Sequence, residues 1–402
     1  MIIKYDCRLL AYLLIVSVTA ALFTGCGKKN IETKAEQETV ISETAEFSAA
    51  LEKTENTSGA VTGNAATEQM AELNGKLTLN MPDDKYRTCY EVFVYAFADS
   101  NGDGIGDLQG LISKLDVIND GDPKTDGDLG YNEIWLMPIC PSPTYHKYDV
   151  TDYMAIDTAY GTMEDFDLLI SECHKRGVNV ILDTVINHTS SEHPWFLEAS
   201  KYIKSLGTNE EPDVNACPYV DYYRFSRTKE EGYEPLPGSS WFYEARFWSG
   251  MPDLNLQNES VRSEIETMIA FWIEHGADGF RMDAVTSYET GDHEANIEVL
   301  SWFHDMVTSK DPDSYIVGEC WTGSGTYSQY YRSGCDSFFD FDFSGSEGVI
   351  AKTVLGSRKA SSYGEALMKE EELYASENPA YINAPFYTNH DMARSAGYYA
   401  KD

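Results

Sequence analysis

From about residue 86 onward, segments with strand character and segments with helix character take turns along the chain. That alternation limits the possible folds more than any other feature. Val92–Phe97 is a short apolar and aromatic run, expected as a buried strand. Leu108 to Ile118 carries apolar residues at 108, 111, 112, 115 and 118, a helical spacing. Glu133–Ile139 reads as the next strand. Met163, Phe166, Leu169, Ile170 and Cys173 then recur at three and four, and Gly177 closes that helix. Val178–Val185, rich in β-branched residues, is a third strand. An irregular stretch with many aromatics and Pro runs from about 188 to 250. Helix follows at Val261–His275, then strand at Gly279–Val285, helix at about 294–308 and strand at Tyr315–Cys320. Phe338–Phe343 and Pro385–Asn389 read as further strands, with helical sequence near 364–374 between them.

Buried strands alternating with helices require a parallel sheet wrapped by helices. About seven such units predict an α/β fold, a TIM (β/α)8 barrel over residues 86–402. A doubly wound open sheet is the rival, but no Gly-rich phosphate loop follows the first strand. Residues 188–250 become a small lobe inserted after strand three. The chain stops soon after strand seven, and no eighth strand is read.

The first residues have a different character. Lys4 and Arg8 precede an apolar run from Leu9 to Phe23, short for a membrane span and suited to an export signal. Leu22-Phe23-Thr24-Gly25-Cys26 follows and resembles the lipobox of bacterial lipoproteins, with Phe23 where an aliphatic residue is usual. Residues 1–26 are therefore expected to be a lipoprotein signal peptide, with lipid on Cys26. An ordinary signal peptide with a chance cysteine is the plainer reading. Residues 27–85 are rich in Glu, Thr, Ala, Ser and Asn and hold too little apolar surface to order themselves. They are expected to tether the rest of the chain outside the cell membrane.

Acidic residues outnumber basic ones, 66 to 30, for a net charge of −36. So negative a surface repels nucleic acid and anionic lipid headgroups, and contact with the membrane is expected through the anchor alone. A neutral substrate meets no such barrier. The eight cysteines lie far apart with no CxxC pair, which suggests neither a zinc site nor a disulfide framework. Cys173 and Cys320 are expected to be buried thiols.

In a barrel the chemistry sits where strands end and loops begin. Strand three ends in Asp183-Thr184-Val185-Ile186-Asn187-His188, strand four carries Gly279-Phe280-Arg281-Met282-Asp283, strand five ends in Gly318-Glu319-Cys320-Trp321, and strand seven ends in Asn389-His390-Asp391. One buried charge at a strand end is readily structural, such as an Arg281–Asp283 ion pair. Four strands with such ends are harder to explain that way. Glycoside cleavage needs two carboxyl groups in different protonation states. Arg281, two residues before Asp283 on the same strand face, favours a charged nucleophile. Glu319 lies beside Trp321 in an apolar stretch, and desolvation there would keep a proton donor protonated.

These stretches resemble the α-amylase family of glycoside hydrolases, in its group between oligo-1,6-glucosidases and neopullulanases. DTVINH at 183–188, GFRMDAV at 279–285, GECW at 318–321 and FYTNHD at 386–391 occur in the family's order, with MPDLN at 251–255 after the lobe. The resemblance, from about 90 to 402, implies that Asp283 is the nucleophile and Glu319 the acid/base. Asp391 would be the third carboxylate, binding sugar hydroxyls. His188 and His390 would hydrogen-bond the sugar, Arg281 would orient the nucleophile, and Arg394 would support the pocket. Tyr148 and Asp149 match the stretch whose Tyr stacks on that sugar, although Lys147 stands where Gly is more usual. The family also carries a last barrel strand and usually a β-sandwich beyond it. Both are expected to be missing here, leaving a chain that folds poorly or is inactive alone.

The loop from Asp99 to Asp107 alternates oxygen side chains with glycines. Such a pattern is calcium chemistry, although Gly110 stands where an EF-hand needs Glu. It is similar to the calcium loop after the first strand of oligoglucosidase-like members. That likeness implies Asp99, Asn101, Asp103, the Ile105 carbonyl and Asp107 as Ca2+ ligands. A solvated polar turn is the plainer reading. Ala284, where 1,6-specific relatives tend to carry Val, leans toward α-1,4 bonds in starch-derived maltodextrins. A transglycosylase on the same substrates and a non-catalytic starch-binding lipoprotein are the rival functions.

Overall fold

The computed structural model describes residues 83–398. The signal segment, Cys26 and nearly all of the proposed tether lie outside them. Seven strands form one parallel sheet: β1 (Cys89–Val92), β2 (Glu133–Leu136), β3 (Asn179–Thr184), β7 (Gly279–Met282), β8 (Tyr315–Gly318), β9 (Ser337–Asp340) and β10 (Ile382–Pro385), neighbours in that order. The sheet curls as part of a barrel does, with β1 and β10 at its two ends. Glu91 on β1 bonds His390, which follows β10, at 2.6 Å. A curled parallel sheet with helices on its outer face is the barrel architecture. The inserted lobe after β3 holds an antiparallel sheet of β4 (Phe225–Ser226), β5 (Tyr233–Pro235) and β6 (Phe242–Glu244), in the order β4-β6-β5.

Strand periodicity divides the side chains between two cores. On β2, Ile134 and Leu136 face the helices while Trp135 faces inward, where it joins Ile181, Tyr315 and Val317. The outer layer includes α1 (Met163–Lys175), α2 (Glu259–Glu274), α3 (His293–Lys310) and α4 (Ala360–Glu377). Phe166, Leu169, Ile170 and Cys173 of α1 are all buried. Burying a Leu- or Phe-sized side chain contributes ~1.5–3 kcal/mol, so this stripe fixes which face of α1 meets the sheet. Thr162 caps its start through a reciprocal pair: the Asp165 N–H donates to Thr162 Oγ1, and the Thr162 N–H donates to Asp165 Oδ2. Gly177 closes it with φ 73°. Cys173 and Cys320 are fully buried.

Several expected elements move; the sixth strand, for example, ends at Asp340, and Phe341–Phe343 form a 3-10 helix. The first strand begins and ends earlier, because Val94–Phe97 turns into a short helix. The Gly106 and Asp107 amides donate to the Tyr95 and Ala98 carbonyls and draw them off the sheet. A Cβ on Gly106 would lie 1.9 Å from the Val94 carbonyl oxygen, so only glycine allows that approach. The helix expected over 108–118 breaks into Leu108–Ile112 and Leu115–Ile118. The seventh strand ends at Pro385 instead of starting there, since proline has no N–H to continue the ladder.

Candidate active site

Four polar residues stand on the inward face of three adjacent strands: Asp183 on β3, Arg281 and then Asp283 on and just after β7, and Glu319 just after β8. Register places Asp183 opposite Arg281. The Arg281 guanidinium is fully buried and serves all three carboxylates. Nη1 donates to Asp183 Oδ1 at 2.7 Å and to Asp283 Oδ1 at 2.6 Å, while Nη2 lies 3.0 Å from Glu319 Oε2. Trp135 and Tyr148 pack against it, their ring centres 4.9 and 5.9 Å from the guanidinium carbon.

Three carboxylates outnumber one cation in a space without bulk water. Burial raises the Glu319 carboxyl to about 7; Arg281 pulls it down and Asp283 pushes it up. Asp183 is raised to about 6 by the same balance, with burial foremost. These titrations belong to the cluster rather than to either group alone. The cause at Glu319 differs from the sequence expectation. Trp321 is 54% exposed and stacks on Phe341, so the inward placement of Glu319, not a Trp neighbour, dries it. Ala284 takes a left-handed φ of 48°, and its N–H donates to Glu319 Oε2 at 3.0 Å. This strained turn links Asp283 to Glu319 across the strands.

A second chain of hydrogen bonds closes the rim. Tyr148 donates its hydroxyl to Asp183 Oδ2 at 2.8 Å and lies 2.9 Å from His390 Nε2. His390 Nδ1 faces Glu91 Oε1. Tyr148 uses its one proton on Asp183, so both ring nitrogens of His390 are placed to donate. The imidazolium form is therefore favoured: burial lowers the His390 pKa, but the Glu91 bond and neighbouring carboxylates outweigh it and raise it. Asp391 Oδ2 lies 3.3 Å from His390 Nε2, with nearly half of its side chain exposed at the rim. His188 is buried beside them, held neutral by desolvation, and its Nε2 has no protein partner. The MPDLN stretch joins the lobe to this corner, where the Leu254 N–H donates to the Asn187 carbonyl at 2.8 Å.

Asp149 and Arg394 sit apart from the guanidinium cluster. Asp149 accepts from the Ser142 hydroxyl at 2.7 Å and from Thr144, so it shapes its own loop. Arg394 is exposed. Lys147 has φ 63°, the conformation that glycine adopts freely, and its ammonium bonds Asp157 at 2.6 Å. Asp183, Trp135 and Glu91 were missed as site residues. Asp183 had a signal, since it heads DTVINH; Glu91 lay just outside the expected first strand.

In the loop from Asp99 to Asp107, side-chain oxygens turn back onto backbone amides. Asp99 accepts from Asn101, Gly102 and Gly104, Asn101 from Asp103, and Asp103 from Ile105. Asp107 accepts from Ser100 and caps the helix at Gly110. Gly102 and Gly104 have φ 83° and 93° with open space around them, so the backbone rather than crowding selects glycine. The donor set is all oxygen, with three carboxylates on one short turn, and it suits a hard cation.

Residues 91–402 match the family described as Alpha amylase, catalytic domain. The chain belongs to the alpha-amylase family. This family member is 42% identical over 317 residues to Alpha-amylase 3 of Dictyoglomus thermophilum, covering 78% of this chain and 58% of that protein. It is 40% identical over 216 residues to an oligo-1,6-glucosidase of Bacillus cereus, covering 50% of this chain and 35% of that protein. Among solved structures, Eubacterium rectale Amy13B aligns with a TM-score of 0.75 at 56% identity, over 83% of this chain and 64% of that one. The alpha-amylase family chain thus spans less than two thirds of each of these relatives.

Proposed function

We propose that this chain carries the catalytic site of a retaining hydrolase of α-glucosidic bonds, acting on starch-derived maltodextrins. The observation that carries this reading is the pairing of Asp283 and Glu319 on one buried guanidinium from adjacent strands. Strands ~4.8 Å apart suit the ~5–5.5 Å carboxyl separation of retaining enzymes. Asp283 attacks the anomeric carbon and the glycosidic C–O bond breaks. Glu319, kept protonated toward neutral pH, gives its proton to the leaving oxygen. The resulting carboxylate then takes a proton from water as that water attacks the glycosyl-Asp283 ester, which restores both groups. Asp391 and His390 hold sugar hydroxyls at the rim, and the unpartnered His188 Nε2 faces the same task.

An α-1,4 linkage is favoured by the small Ala284 in its left-handed turn. Initial products from maltodextrin followed by NMR should keep the α-anomer. A β-anomer would overturn the mechanism, and faster cleavage of isomaltose than of maltose would overturn the linkage. We further propose Ca2+ at Asp99, Asn101, Asp103, the Ile105 carbonyl and Asp107, where it would offset crowded negative charge and stiffen the turn after β1. The lipid anchor at Cys26, on the extracellular face of the membrane, is proposed from sequence. Labelled fatty acid should enter the protein but not its Cys26→Ala variant, and equal labelling of both would exclude it.

A further inference from the structure

Away from the Arg281 cluster, three more carboxylates converge. Asp340 ends β9, Asp342 follows in a 3-10 turn, and Glu370 projects from α4. Ligand oxygens of all three lie within 4.8 Å of one another. Asp340 is wholly buried and Glu370 is 8% exposed. Among the described residues, no Lys, Arg or His forms an ion pair with any of them. Arg358 and Lys369 only line the cleft that opens on Asp342 and Glu370.

Asp340 accepts hydrogen bonds from several elements. Oδ2 accepts from Tyr374 at 3.3 Å and from Asn383 at 3.1 Å, and Oδ1 accepts from the Asp342 N–H at 3.1 Å. No protein donor serves Glu370 Oε2, although it is buried. The Asn383 amide that donates to Asp340 leaves its own oxygen buried and unpartnered as well. Two oxygens without a protein donor beside a buried carboxylate that no basic side chain pairs leave room for a cation, or for a proton shared between Glu370 and Asp340.

We propose that Asp340, Asp342 and Glu370 bind one calcium ion that pins α4 to the end of β9. The donors are all oxygen, and Asp342 lies open to water that can complete a shell of six to eight ligands. An irregular set of this kind suits calcium better than magnesium, which demands a near-octahedral shell. Phe341, between two of the ligands, stacks under Trp321 next to Glu319, so the ion would also steady one wall of the rim.

The test counts tightly bound calcium per full-length chain by equilibrium dialysis, after chelator treatment, in the wild type, E370Q, D342N and D103N. E370Q and D342N are each expected to bind one ion fewer than the wild type. D103N, altered in the separate loop after β1, should keep an ion and gain melting temperature with calcium. Equal calcium counts in the wild type, E370Q and D342N would overturn the proposal. So would an E370Q that matches the wild-type melting temperature with and without calcium, since a proton shared between Glu370 and Asp340 would then explain the cluster. Asp342 is exposed, so D342N decides the matter if E370Q fails to fold.

Discussion

Arg281 holds three carboxylates that would otherwise face one another in a dry interior. Removing one partner of a buried ion pair typically costs ~3–5 kcal/mol. Arg281→Ala should fall in that range by denaturant unfolding, and a loss below 1 kcal/mol would mean that the cluster is wetter than described. Glu319 governs the pH response. Its folded-state pKa is raised, so protonation favours the fold, and the penalty grows as pH rises from the ordinary carboxyl range to about 7. Glu319→Gln should therefore lose at least a thousandfold in activity yet gain stability at pH 8, by on the order of 1 kcal/mol or more. The wild-type rate should fall as pH rises through about 7. A wild-type rate unchanged from pH 6 to 9 would remove Glu319 as the proton donor. The motif residues of this cluster were legible because charges at buried strand ends are rare without a purpose. Asp149 takes up hydroxyls of its own loop, and a motif position does not reveal which neighbours will bond a carboxylate.

Among the elements, the bond from β1 to the loop after β10 has the clearest consequence. Glu91 and His390 join the start of the sheet to the loop that carries Asp391. The folded pKa of His390 is raised, so the stability it adds is fully present below its unfolded value near 6.5 and is lost as pH climbs through the raised one. Glu91→Gln should lower the melting temperature at pH 6 and change it little at pH 9. An equal loss at both pH values would show that the contact is not ionic. Ala284→Val should destabilise the turn by ~1–2 kcal/mol, because a β-branched residue tolerates positive φ poorly. Existence and order of the strands were legible from apolar runs, but their ends were not. Val94–Phe97 reads as a strand by composition, and the distant amides of Gly106 and Asp107 decide otherwise. Hydrogen bonds of that kind leave no periodic trace in a sequence.

At the scale of the molecule, the net charge of −36 sets the background. Self-repulsion of that size should make the melting temperature rise between 10 and 150 mM NaCl, and a flat or falling response would show that the charges are already neutralised by bound ions. The curled parallel sheet was legible because regular alternation permits few architectures, whereas the contact between Glu91 and the loop after β10 emerges only in three dimensions. The account stands or falls on Asp283 forming a bond to sugar. A fluorinated α-glucosyl fluoride that forms the glycosyl-enzyme faster than it is released should add one fluoroglucosyl group, and peptide mass spectrometry should place it on Asp283. Label on Asp183 or Asp391 instead, or turnover without any trapped ester, would contradict the assignment.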